Sequence, residues 1–264
     1  MPKIRSNGRH FYYETEGKGH PLVLIAGYTG DIHRWDLMRG LFANHFQLFL
    51  IDNRGSGRSD PADGPYSVED MAADTMGVIR ELGLKNPHIM GASLGSAVAQ
   101  VIALNHASQI GKAVLAYTFL KIPAYCAAAF KFFFHLRMDK AHTARQVEGV
   151  LPWIFSSAFF KNEKAVSEAI DLMVHQPFPQ SETDQKFQLD ACLAFDSTKW
   201  FEKIGAPLLL ILGEEDIIAP PRDVAAQAKE MANAHVHIIP KMGHAVDLEA
   251  PEEYFRLVLN FLKA

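Results

Sequence analysis

Short runs of strand length recur along the chain at positions 22–26, 46–51, 88–90, 113–116, 208–212 and 236–239, and several are apolar at every position. A strand with one face in water alternates polar and apolar residues, whereas an uninterrupted apolar run needs cover on both faces. Helical patterns stand between the runs to provide that cover. The segment 67–82 opens with Ser67 as N-cap and Glu69 and Asp70 in its first turn; Val68, Met71, Ala72, Ile79 and Leu82 form its apolar stripe, and Gly83 ends it. Segment 94–106 is rich in Ala and Val and suits close packing on a sheet, while 221–231 and 251–262 both begin at a proline. Strand and helix in regular alternation predict an α/β fold with right-handed crossovers, a mainly parallel twisted sheet flanked by helices. Residues 9–16 read as a further strand, an antiparallel edge.

From 120 to 200 the alternation stops, and aromatic, Ala-rich and helical stretches replace it. We read this part as a helical cap inserted into a core made of residues 1–119 and 201–264. A length of 264 residues with 48% hydrophobic content supports one such core with its insertion. The net charge of −4 supplies no surplus of Lys and Arg to draw phosphate backbones or anionic lipid, so no nucleic-acid or membrane partner is expected. Lys121, Pro123 and Lys131 break the greasy stretch 117–134, which falls short of the ~20 apolar residues a bilayer requires. Cys126 and Cys192 form no CxxC pair and cannot make a zinc cluster alone. Residues 1–18 lack the apolar run of a signal peptide. A reduced, cytoplasmic protein, monomer or homodimer, is expected.

The residues that carry chemistry begin with GASLG at 91–95, set between the run 88–90 and the helix 94–106. A serine at such a junction sits on a strained turn for which Gly91 and Gly95 leave room. The turn lifts the Ser93 hydroxyl clear of the sheet and leaves the Leu94 amide at a helix N-terminus, aimed where an oxyanion develops. A serine hydroxyl is a weak nucleophile that needs a base and a group to orient the base. Ligands of parallel sheets meet the loops beyond the carboxyl ends of the strands, and this selects two positions. Run 208–212 leads into GEED, where Asp216, farthest into the loop, is preferred to its competitors Glu214 and Glu215. Run 236–239 leads to His244, after Gly243. His235 and His237 share one side of a strand with no ligand partner, and read as structural or surface residues. A second oxyanion donor is expected at the amide of Tyr28, where Gly27 allows close backbone approach after the run 22–26.

Ser93, Asp216 and His244 in that order, with the Gly27–Tyr28 turn, resemble the α/β-hydrolase superfamily over nearly the whole chain. IDNRGSGRSD at 51–60 resembles the family's loop after its fourth strand, and GHAVDLEAPEEY at 243–254 its histidine loop and last helix. Read alone, GSGRSD hints at a dinucleotide fingerprint, but the third glycine is missing and no helix starts on it. Segments 151–160 and 189–200 resemble the enol-lactonase and small carboxylesterase branch, and Ser93 sets the chain apart from branches with an aspartate nucleophile. Relatives often carry His-Gly where this chain has Ala26-Gly27; since the donor is a backbone amide, its geometry should survive. The resemblance implies hydrolysis of a small acyl substrate, a carboxylic ester, thioester or (enol-)lactone, with no cofactor and no metal. The same three residues also serve carbon–carbon bond hydrolases, cofactor-free oxygenases and non-catalytic receptors. Phe130, Phe134, Trp153 and Phe155, with Phe132 and Phe133, are candidates to line the pocket.

Overall fold

The computed structural model describes residues 2–264. The apolar runs become the strands of one sheet because successive side chains feed opposite cores. Strands β1 (Lys3–Ser6), β2 (Arg9–Glu16), β3 (Pro21–Ile25), β4 (Gln47–Ile51), β5 (His88–Ala92), β6 (Ala113–Ala116), β7 (Leu208–Gly213) and β8 (Ala234–Ile239) are ordered β1-β2-β4-β3-β5-β6-β7-β8. β1 pairs with β2 and β2 with β4 antiparallel, while every pairing from β4 to β8 is parallel. Val23 and Ile25 of β3 and Leu208 and Leu210 of β7 enter one core with Met71, Val98 and Val224. Leu22, Leu24, Leu209 and Ile211 enter the other, with Trp35, Phe42, Tyr254 and Val258. The helices are α1 (Asp36–Ala43) and α2 (Val68–Glu81) before β5, and α3 (Leu94–Asn105) directly after it. Then come α4 (Ala124–Met138), α5 (Thr143–Ile154), α6 (Glu163–Val174) and α7 (Glu182–Ala194) between β6 and β7, and α8 (Pro221–Lys229), α9 (Val246–Glu249) and α10 (Pro251–Lys263).

Ser67 caps α2 as its sequence predicts: its side chain accepts from the Asp70 amide and the Asp70 carboxylate accepts from the Ser67 amide, a reciprocal capping box. One expectation shifts: β2 is not the edge of the sheet, since the short, largely polar β1 pairs outside it. β8 is the other edge, and His235 and His237 are exposed on it, in keeping with their reading as surface residues.

The helices α4 to α7 leave the sheet through a narrow neck. Lys121 and Asp196 pair there through a backbone bridge and a 2.9 Å ion pair, and the Ser197 amide donates to the Leu120 carbonyl at 2.8 Å. Among the described residues no helix is long and apolar enough to cross a membrane.

Candidate active site

β5 ends at Ala92 and α3 begins at Leu94, so the chain must turn from strand to helix within Ser93. It does so at φ 53°, ψ −118°, a conformation that costs a non-glycine residue about 1–3 kcal/mol. Close packing demands the sharp turn: a Cβ on Gly95 would collide with the Ile25 carbonyl oxygen. A hydrogen-bond network holds it in place. The Ser93 amide donates to the Ala116 carbonyl at 3.0 Å, and the Ser93 carbonyl accepts from the Ser96 amide at 2.8 Å and the Ser96 hydroxyl at 2.5 Å. Thr118 Oγ1 lies 2.8 Å from Ser96 Oγ and accepts from Gln100 Nε2 at 2.7 Å, all three side chains being buried.

His244 brings Nε2 to 2.8 Å from Ser93 Oγ and Nδ1 to 2.7 Å from Asp216 Oδ2. The loops after β5, β7 and β8 supply these three residues because the parallel register aligns the carboxyl ends of those strands. The other Asp216 oxygen, Oδ1, accepts from the Ile218 and Ala219 amides at 2.9 and 2.8 Å, which fixes the carboxylate toward the imidazole. With a carboxylate opposite Nδ1, the proton belongs there and the Nε2 lone pair faces the hydroxyl. Glu214 and Glu215 stay exposed and turn elsewhere, accepting from the Lys241 amide at 3.0 Å and the Ser157 amide at 3.2 Å.

Four polar residues that sequence reading missed hold the histidine loop. Glu249 accepts from the Gly243 amide at 2.8 Å. Arg34 donates to Asp247 Oδ1 at 2.6 Å and to the Tyr117 hydroxyl at 2.7 Å, and the Tyr117 ring meets the His244 ring edge-on with centroids 4.9 Å apart. Burial opposes the charge on Arg34, but Asp247 beside it outweighs that and raises the guanidinium above its ordinary range. Asp247 and Glu249 lie within the segment 243–254, whose resemblance marked the loop but not their partners, and nothing local gave Arg34 or Tyr117 this role.

The turn after β3 lies against Ser93. A Cβ on Gly27 would stand 2.9 Å from the Ala92 carbonyl oxygen, 3.1 Å from Ser93 Cβ and 3.7 Å from the Leu94 nitrogen. The Gly30 amide donates to the Gly27 carbonyl at 3.1 Å and closes the turn. The amides of Tyr28 and Leu94 donate to no acceptor among the described residues.

The sequence pattern of the α/β hydrolase fold matches residues 20–251. The chain belongs to the α/β-hydrolase family. This α/β-hydrolase is similar over 95% of its length to a protein of Caulobacter sp. (strain K31) named as a carbamate hydrolase, RutD, with 26% identity and 95% of that protein covered. Among solved structures it is similar to the enol-lactonase from Burkholderia xenovorans LB400, with a TM-score of 0.83 and 23% identity over 100% of both chains. It is also similar to a thermophilic esterase from Thermogutta terrifontis, with a TM-score of 0.82 and 24% identity, covering 99% of this chain and 97% of that one.

The helices α4 to α7 meet this α/β-hydrolase core at the same sheet edge. Tyr125 Oη and Cys126 Sγ of α4 donate to the Ile217 carbonyl at 2.7 and 3.0 Å, next to Asp216. The Ile154 carbonyl, at the end of α5, accepts from the His244 amide at 2.7 Å. Phe130 lies near the Tyr28 ring, centroids 6.0 Å apart, and Trp153 is partly buried beside Phe133 and Tyr125. Phe134 is buried. Phe155 stacks on Phe159 at 3.9 Å in a cluster with Leu151 and Ala245, so it packs α5 onto the histidine loop. Phe132 is exposed.

Proposed function

We infer that this α/β-hydrolase cleaves a small carboxylic ester, thioester or (enol-)lactone through Ser93, His244 and Asp216. The observation that carries this reading is the continuous chain of hydrogen bonds from Ser93 Oγ through both imidazole nitrogens to a buried carboxylate. Ser93 Oγ attacks the acyl carbon as its proton passes to His244 Nε2, and Asp216 faces the imidazolium that forms. The amides of Tyr28 and Leu94 take the oxyanion, and their lack of acceptors among the described residues suits that task. Collapse of the tetrahedral species breaks the acyl–heteroatom bond, and the proton returns from His244 to the leaving group. Water, activated by the same imidazole, then frees the acid from Ser93. The helices α4 to α7 act as a cap over this edge of the core, with Phe130 beside Tyr28 among the residues facing the acyl group. Relatives named as carbamate hydrolase, enol-lactonase and esterase point to substrates with one shared feature, a carbonyl bearing a heteroatom leaving group.

Turnover of p-nitrophenyl acetate by the purified protein tests the reading. Ser93→Ala should remain folded and lose about 10⁴-fold or more in kcat, and a serine-directed phosphonate should label residue 93 alone. Near-normal turnover by Ser93→Ala refutes it.

A further inference from the structure

The turn that carries Tyr28 is held in an unfavourable shape by a residue from the helical excursion. Of its two central residues only Thr29 has a positive φ, 59°, the pattern of a type II turn, which ordinarily places Gly or Asn there. Relaxation of Thr29 to right-handed values rotates the peptide between 28 and 29 and shifts the backbone that includes the Tyr28 amide. One side chain opposes that rotation. Gln188 of α7 is completely buried, and its Oε1 accepts from the Thr29 amide at 2.7 Å. The amide group is fixed in this sense, because Nε2 faces Ser56 Oγ at 3.4 Å and the reverse orientation would put two donors together. The Thr29 hydroxyl donates to the Tyr28 carbonyl at 2.7 Å, so both polar groups of the 28–29 peptide are occupied. On the opposite side, Gly27 rests against Ser93 and Leu94.

We propose that Gln188 is a positioning residue for the oxyanion turn: by holding the Thr29 amide it keeps the Tyr28 amide aimed at the carbonyl attacked by Ser93, which makes seating of α7 a condition for turnover. This rests on the assignment of Ser93 and Tyr28 given above. Gln188 touches no reacting atom. Its loss should therefore weaken stabilisation of the tetrahedral state and leave ground-state binding nearly intact.

Gln188→Met keeps length and bulk but removes the acceptor, and Gln188→Glu keeps an oxygen for the Thr29 amide. Loss of a whole oxyanion donor costs ~10²–10³ in rate, and loosening one should lower kcat about tenfold with KM changed less than about threefold. Affinity for phenylboronic acid, which forms a tetrahedral adduct on Ser93 Oγ, should fall in parallel. Gln188→Glu should restore most of both. A double-mutant cycle separates positioning from general damage. Glycine at 29 favours the type II turn by itself, so Gln188→Met in a Thr29→Gly background should cost only about twofold. Gln188→Ala is the second truncation should the Met variant not fold. The proposal is overturned if the truncated enzyme keeps kcat and boronate affinity, or if its defect is undiminished in the Thr29→Gly background. Unaffected Gln188 variants beside an inactive Ser93→Ala overturn this proposal alone, whereas turnover that survives Ser93→Ala overturns the hydrolase reading and this proposal with it.

Discussion

Asp216 shows how backbone position within one loop decides which of three adjacent carboxylates meets the histidine. Its short side chain lets one oxygen cap the Ile218 and Ala219 amides of its own loop while the other reaches Nδ1. Glu214 and Glu215, earlier in the same loop, serve neighbouring loops instead. Sequence position alone favoured Asp216; the local turn supplies the physical reason. Asp216→Asn preserves the shape and an acceptor for the loop amides, but it places a neutral amide opposite the ring and removes the charge that faces the imidazolium. We expect kcat on p-nitrophenyl acetate to fall by about 10⁴-fold, with the thermal midpoint nearly unchanged. Glu214→Gln and Glu215→Gln should retain wild-type turnover. Loss of activity in either of those two, with Asp216→Asn active, would reverse the assignment.

At the scale of elements, the strands and crossover helices were legible because each carries its signal within a few residues. β6 and β7 are buried and apolar along their length, β3 and β5 are so after their first residue, and the Ser67–Asp70 box marks where α2 starts. The order of Ser93, Asp216 and His244 was legible because each follows a strand end. What holds those loops was not. Arg34 and Asp247 lie far apart in the chain, and nothing local marks them as partners until the fold brings them together at 2.6 Å. The same is true of Gln188 and Thr29. Helix α9 is short and owes its place to this buried ion pair, since the Asp247 side chain is 0% exposed and that of Arg34 22%. Asp247→Asn leaves the guanidinium without its anion, and removal of one partner of a buried pair costs about 3 kcal/mol. Urea unfolding should show this loss, and kcat should fall with it as Tyr117 and the His244 ring lose their support. An unchanged midpoint would mean that the pair contributes nothing to anchoring α9.

The whole molecule has an acid limit built into the opposite end of its sheet. His88 opens β5, four residues of strand away from the edge where Ser93 stands, and is buried against Phe46 and the exposed His20, whose ring centroid is 4.2 Å away. Its Nδ1 accepts from the Lys112 amide at 3.0 Å, a bond that needs the neutral ring. Burial pushes its pKa down to about 4, with the charges of His20 and Lys112 acting in the same direction. An unfolded chain takes up this proton near pH 6.5, so the unfolded state binds more protons between the two values and stability rises with pH there. The contribution is complete above about pH 6.5 and drains away as the solution is acidified toward 4; at pH 5 the loss is on the order of 2 kcal/mol. His88→Asn offers the Lys112 amide an acceptor that does not titrate. Between pH 7 and 5 the unfolding free energy of the wild type should therefore fall by about 2 kcal/mol more than that of His88→Asn. Because the parallel strands keep His88 remote from the hydroxyl of Ser93, kcat per folded molecule should follow the same pH profile in both proteins. Equal losses of stability in the two would assign the acid sensitivity to other groups, and a divergent kcat profile would mean that the two ends of the sheet are coupled.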